Sequence, residues 1–470
     1  MPKISDILSD RFAYEPTSGQ KELFKLFDYL PEQKGPDTLL IKGYAGTGKT
    51  TIVSSLVRIL PLFNLKSLLL APTGRAAKVL ANYSGRKAFT IHRIIYKLQR
   101  DRDSGMLSFK RIRNYHKETV FIVDEASMIY DQYSATQSNL LRDLKDYVFE
   151  NSSNKLIILG DTAQLPPVGQ ENSGALDKDT LEGKYSLKVV EIELNEVVRQ
   201  EQLSGILENA TSIRRNIQAG RFGIRFNTRD YPDIFSMNSE KLEDGLRYAY
   251  NRFGIDNVII ICRSNRQANQ FNQYIRRNLL YLDSRIDAGD HLMIVRNNYF
   301  WLDEDSKAGF LANGDFAEVR KIANIQEIYG FTFADLDLRL IDYPEHPVIR
   351  VKAILDTLES DSPSLNETDS RKLYDHVMTD YPGLSKKDLA AAIAADPYLN
   401  AVQVKFTYAI TCHKSQGGQW HAVFLEQGYL KESIRDISYM KWLYTGMTRA
   451  TRELYLVNFL PEFFGGENKQ

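Results

Sequence analysis

The chain has 470 residues, room for about three packed units at ~150 residues each, and its 43% hydrophobic content can fill several cores. Lys plus Arg equals Asp plus Glu at 60 each, which excludes a disordered polyelectrolyte and a uniformly basic nucleic-acid coat, so any basic surface must be local. Cys262 and Cys412 are too few for a disulfide framework and lack metal-ligand spacing, and no apolar run exceeds strand length, so the chain is expected to be soluble, without a membrane span, and cytoplasmic.

Residues 38–50, TLLIKGYAGTGKT, read as a short apolar strand, a Gly-rich loop and a helix start, and helical spacing continues to residue 60. Apolar runs at 67–71, 119–123, 155–159 and 189–194 follow, each separated by enough chain for a crossover helix, which predicts a parallel α/β sheet. A second series starts at 257–262, continues as an amphipathic helix through Ala268, Phe271, Ile275 and Leu279, and resumes only at 402–409, 422–425 and 454–459. Between its halves, alternating segments at 291–295 and 316–322 flank the turn Asn313-Gly314-Asp315 and predict a small inserted β module. The acid-rich stretch 356–397 reads as a solvated helical face.

Three strand ends carry chemistry. Gly43 to Thr50 is G-x-x-x-x-G-K-T in the strand-loop-helix setting that the pattern demands. Successive backbone N–H groups through Gly43, Ala45, Gly46, Thr47, Gly48 and Thr51 can cradle the phosphates of ATP, Lys49 adds a point charge, and the Thr50 hydroxyl can ligand Mg²⁺. A Gly-rich turn without a ligand is the bland alternative, and the agreement of strand, loop length, Lys and Thr weighs against it. The run 119–123 ends in Asp124, placed to hold the magnesium shell, and Glu125, placed to polarise an attacking water. After the fourth strand, in GDTAQLPPVG at 160–169, Gln164 can sense the γ-phosphate.

Eight segments now stand in one order: GYAGTGKTT at 43–51, APTGRAAKVL at 71–80, TIHRIIY at 90–96, VDEASM at 123–128, GDTAQLPPVG at 160–169, LNEVVRQ at 194–200, TCHKSQGGQW at 411–420 and LYTGMTRA at 443–450. With them the chain resembles superfamily 1 helicases, most closely the RecD-like and phage Dda-like helicases of the B branch. The resemblance implies an α/β fold of two RecA-like P-loop domains. The first would cover 1–195, with a β-hairpin pin at 97–118; the second would cover 196–285 and 402–470, with an SH3-like β module and acid-rich helical extension inserted at 286–401. It further implies an ATP-dependent 5′-to-3′ DNA helicase and single-strand translocase. Single-stranded and tailed duplex DNA would be its partners, it would act as a monomer, and it would work beside replication, recombination or repair proteins. Arg199 and Arg449 match the family's arginine fingers, and Gln20 matches the glutamine that reads the adenine edge.

By the same resemblance Pro72, Thr73, Arg75, Thr90, His92, Thr411, His413, Lys414 and Ser415 would line the single-strand track, where hydroxyls, imidazoles and cations can donate to phosphate oxygens without reading sequence. For both histidines, satisfaction by local backbone is the competing reading. Gly74 departs from the Dda-like pattern, which has histidine there. Residues 97–117 hold seven Lys/Arg against two Asp, and Met106, Leu107 and Phe109 near the hairpin tip would stack on the last base pair. Asn298, Tyr299, Phe300 and Trp301 form a polar-aromatic cluster that either touches DNA or packs inward. Two other activities stay open: an RNA-directed superfamily 1 helicase, and an ATP-switched single-strand-binding loader that does not unwind.

Overall fold

Apolar runs without polar alternation are stable as strands only when both faces are covered. The computed structural model describes residues 3–32, 35–100, 107–132, 139–197, 204–302, 310–343, 345–429 and 436–464, and of 98–100, 107–109 and 386–387 the backbone alone. In it, six parallel strands run in the order Ala88–Thr90, Lys66–Ala71, Thr119–Val123, Lys155–Gly160, Thr38–Gly43, Val189–Leu194. Successive residues feed opposite cores. Ile41, Ile122 and Ile157 pack with Ile52, Val53 and Leu56 of helix Lys49–Ile59, while Leu40, Phe121 and Ile158 pack with Leu141 and Leu144 of helix Leu140–Val148.

The second half repeats the device. Five parallel strands run in the order Ala409–Thr411, Val258–Cys262, Trp420–Glu426, Ala450–Val457, Ile234–Met237. Val258, Ile260 and Cys262 face one core and Ile259 and Ile261 the other. In both halves the C-terminal strand ends feed the loops that bear the motifs.

Between Val258–Cys262 and Ala409–Thr411 the chain builds a closed barrel from His291–Ile294, Phe316–Ile328, Phe331–Leu340, Ile349–Ile354 and Val402–Phe406. This corrects the expectation that the run from 402 belongs wholly to the second sheet. Val402–Phe406 instead closes the barrel, antiparallel to His291–Ile294 and parallel to Ile349–Ile354. The break comes from a buried amide: Asn272 Nδ2 donates to the Phe406 and Ala409 carbonyls at 3.2 and 2.9 Å, and its Oδ1 accepts from Ala409 N at 2.7 Å. One side chain thus serves the backbone groups that a continuous strand would have paired.

Tyr96–Arg100 and Leu107–Arg111 form the expected antiparallel ribbon, with Leu98 opposite Phe109. Residues 103–106 and the side chains of Leu107 and Phe109 lie outside the described residues. The acid-rich stretch is helical, as Asp356–Glu359, Glu367–Met378 and Lys386–Ala395. Its middle helix is not wholly solvated, because Leu373 and Val377 pack on Phe331 and Phe333 of the barrel. Trp301 packs against the second core and donates from Nε1 to the Asn400 carbonyl at 2.8 Å. Among the described residues no helix is long and apolar enough to cross a membrane.

Candidate nucleotide cleft and nucleic-acid interface

Strand Thr38–Gly43 delivers the chain into a loop in which Gly46 and Gly48 take φ of 77° and 80°, a region open to glycine at little penalty. Helix Lys49–Ile59 then starts at the motif lysine. Lys49 Nζ donates to the carbonyls of Gly43 and Tyr44 at 2.5 and 2.9 Å, and Thr47 Oγ1 donates to Tyr44 O at 2.8 Å. The ammonium therefore sits over the loop's mouth. Gln20 is placed otherwise than for reading a base. Its Oε1 accepts from Thr17 N at 3.1 Å, its Nε2 donates to Thr47 O at 3.0 Å, and it is buried, so the amide ties helix Ser18–Leu26 to the phosphate loop.

Asp124 and Glu125 follow strand Thr119–Val123 as expected. Burial, with the neighbouring Glu125 carboxylate second, pushes the Asp124 carboxyl up to about 6, against the pull of Lys49. Glu125 is held at φ 53°, an uncommon conformation for a residue with a Cβ. Gln164 is buried and its Oε1 has no partner among the described residues.

The second half closes over these groups. Tyr444 sends its hydroxyl between the halves: it accepts from Ala45 N at 2.9 Å and donates to Asp161 Oδ2 at 2.6 Å. Thr445 Oγ1 accepts from Leu165 N at 2.8 Å, and Gln416 Nε2 donates to Leu165 O at 2.6 Å. Three side chains of the second half thus grip the loop that carries Gln164. Arg449, almost fully buried, places Nη1 3.7 Å from Glu125 Oε1. Arg199 lies outside the described residues.

The expected track residues divide. His413 is exposed, and Thr411, Pro72 and Lys414 are half-buried. Lys414 Nζ donates to Asn313 Oδ1 at 2.6 Å, and burial lowers its ammonium to about 8. The hydroxyl oxygens of Thr73 and Thr90 accept helix N-cap bonds from Ala76 N and Arg93 N, which does not use their O–H donors. His92 lies beside Tyr96, and burial lowers its imidazole to about 4, so it is neutral at pH 7. Ser415 departs from the expectation of an open donor: it is fully buried and its hydroxyl donates to Cys412 O at 2.7 Å. Arg75 departs also. Its guanidinium lies over the rings of both Phe316 and Trp420, at 4.3 and 4.2 Å from their centroids, and joins the first half to the barrel and the second sheet.

The barrel explains Gly74. A Cβ there would lie 2.4 Å from Asp315 Oδ1, so any side chain at 74 would have to displace the Asp315 carboxyl. Burial pushes the Asp315 carboxyl up to about 8, and its Oδ1 has no partner among the described residues. On the flank of the first half, a cavity of about 880 Å³ lies at the root of the hairpin, lined by Arg93, Lys97, Lys110, Arg111 and Arg113 together with Tyr115. It is one local concentration of basic side chains on an otherwise neutral chain.

Sequence reasoning missed three participants. Tyr444 and Gln416 lie inside quoted motifs, but their partners are distant in sequence. Arg214 lies in none. Its signal was a cation on the apolar stripe of helix Gly205–Gln218, beside Ile206, Ala210 and Ile213.

Two parallel α/β halves, a phosphate loop on one and a guanidinium reaching in from the other, define a P-loop cleft shared between two domains. Residues 29–225 match a family model described as an AAA domain, and 406–457 match one described as a UvrD-like helicase C-terminal domain. Similar proteins include an uncharacterized protein of Acanthamoeba polyphaga mimivirus, 24% identical over 93% of this chain and 98% of its own length. The ATP-dependent DNA helicase dda of Enterobacteria phage T4 is 26% identical over 59% of this chain, and the ATP-dependent RecD2 DNA helicase of Deinococcus radiodurans is 32% identical over 30% of it. The chain spans 60% of the former and 17% of the latter. A Bacteroides Pif1 helicase solved with ADP-AlF3 and ssDNA aligns over 96% of this chain and 95% of its own, at 16% identity and a TM-score of 0.47. Over these segments the chain is similar to ATP-dependent DNA helicases.

Proposed function

We propose that the protein is an ATP-dependent DNA helicase that translocates 5′-to-3′ on single-stranded DNA and separates a tailed duplex. The observation that carries this reading is the cleft in which Lys49, Asp124 and Glu125 of the first half meet Arg449 and Tyr444 of the second. Lys49 and the loop N–H groups would bind ATP phosphates, and Glu125 would orient the attacking water. Arg449, and by resemblance Arg199, would neutralise charge developing on the transferred phosphoryl group. Thr50 and Asp124 fit Mg²⁺: a hydroxyl and a carboxylate are hard-oxygen donors of the kind it prefers, and the ion would supply charge neutralisation between phosphates.

Gln416 adjoins the strand-track loop and grips Leu165, next to Gln164. Nucleotide state and strand grip are therefore mechanically adjacent. Opening and closing of the cleft would alternate the hold of the halves on the strand, and the hairpin Tyr96–Arg111 would split the duplex. A strand-displacement assay with 5′-tailed, 3′-tailed and RNA-tailed duplexes tests this. ATP-dependent separation of the 5′-tailed DNA duplex is expected; preference for the 3′-tailed or RNA-tailed substrate would refute polarity or substrate respectively.

A further inference from the structure

The nucleotide cleft contains a cation that no motif and no resemblance assigns. Arg214, on helix Gly205–Gln218 of the second half, is 6% exposed. Its guanidinium stacks on the ring of Tyr44, the second residue of the phosphate loop, with Cζ 4.2 Å from the centroid. One turn later Gln218 Nε2 donates to the Tyr44 hydroxyl at 2.7 Å, and that hydroxyl donates in turn to Glu193. The ring is thus fixed from its face and from its oxygen, and it holds the plane of the guanidinium.

What the ring does not offer is an acceptor. Arg214 Nε and Nη1 are buried and reach none among the described residues. Arginine does not deprotonate in proteins, and burying two of its nitrogens without hydrogen-bonding partners is unfavourable. Such a group is stable in a fold whose working state supplies an anion. The surroundings say which. The Tyr44 loop is the phosphate cradle, with Lys49 over its mouth. Tyr444, whose hydroxyl holds Ala45 N, lies within range of the Arg214 charge.

We infer that Arg214 is a phosphate-binding residue of the nucleotide site: in the closed cleft its fork takes oxygens of the terminal phosphoryl group of a nucleoside triphosphate. This rests on the nucleotide-hydrolase reading above. The planar guanidinium, with parallel N–H groups, matches phosphate oxygens two at a time. Unpaired donors on a fixed positive charge select an anion over a base or a ribose. Because Arg214 belongs to the second half and the loop to the first, the contact exists only while the halves are together. A diphosphate can bind to the loop alone; the terminal phosphoryl group adds the bridge.

The test uses the full chain as wild type, Arg214→Ala, Arg214→Met and Arg214→Lys, with a fluorescent ADP, a fluorescent non-hydrolysable ATP analogue, DNA-stimulated ATPase and melting without nucleotide. In Ala and Met, affinity for the triphosphate analogue should fall about tenfold or more while ADP stays within about threefold. Turnover should fall on the order of 10²-fold or more, within the range arginine contacts to a transferring phosphoryl group can supply. Met retains bulk against Tyr44, so it should melt with the wild type, and Lys should keep part of the binding but not the turnover. Equal weakening of both nucleotides, or turnover in Met within about threefold of wild type, would overturn the inference. Absence of ATP turnover in the wild type would instead remove the hydrolase reading, and the two-nucleotide comparison would still decide Arg214.

Discussion

Replacing Tyr444 by Phe removes one hydroxyl and with it two bonds between the halves. One is charge-assisted, to Asp161 Oδ2 at 2.6 Å, and the other is from Ala45 N at 2.9 Å. A buried bond to a charged group contributes about 1.5–3 kcal/mol and a neutral one about 0.5–1.5 kcal/mol, so the closed cleft should lose roughly 2–4 kcal/mol. At about 1.4 kcal/mol per decade, the closed-to-open ratio should drop roughly 30- to 1,000-fold. A donor–acceptor dye pair on introduced surface cysteines, one per half, reads this directly. The native thiols do not compete for label, since Cys262 and Cys412 are buried and burial raises both thiols, that of Cys412 to about 12. Without nucleotide the wild type should show high transfer and Tyr444→Phe low transfer, and a triphosphate analogue should restore closure because the phosphate supplies its own bridge. Identical transfer in both proteins without nucleotide would refute the role of this hydroxyl as the latch.

Lys49→Ala should abolish nucleotide binding and turnover together, whereas Glu125→Gln should bind ATP yet hydrolyse it about 10²-fold or more slowly; near wild-type hydrolysis in the latter would remove Glu125 from its role. Arg449→Ala should lower DNA-stimulated kcat far more than nucleotide affinity, since its contribution belongs to the state in which charge develops; an unchanged kcat would exclude it. Shortening the hairpin across 103–107 should leave DNA-stimulated ATPase and translocation intact while strand displacement is lost, and equal loss of all three would assign the segment to the motor or to folding. Asp315→Asn should stabilise the protein in a pH-dependent way. A carboxyl raised from 3.8 to about 8 opposes the folded state increasingly as pH rises between those values. The melting difference, variant minus wild type, should be smallest near pH 4, widen to about pH 8 and then level off; a pH-independent difference would contradict the burial of that charge.

Legibility in the sequence followed locality. The strand ends with Lys49, Asp124 and Glu125 were readable because parallel strands are unbroken apolar runs and the chemistry sits directly after them. The division at Phe406 was not, because the apolar-polar alternation of 402–408 runs straight through it and the break is imposed by Asn272 from another element. Arg75 looked like a strand contact by motif, yet its partners Phe316 and Trp420 lie hundreds of residues away. Gln20 was assigned from a short match, and the structure shows both ends of its amide committed to a capping box and the phosphate loop. Tyr444 and Arg214 share the same difficulty. Their significance is a contact across the cleft, which leaves no spacing to read.

The central claim, directed ATP-driven movement on a single strand, is tested most directly without a duplex. Oligonucleotides carrying biotin at either end are saturated with streptavidin, and displacement is followed on addition of ATP. The wild type should strip streptavidin from the 3′ end and leave the 5′ end loaded, and Glu125→Gln should strip neither. Displacement from the 5′ end, or displacement from the 3′ end without ATP, would contradict a 5′-to-3′ motor driven by this cleft.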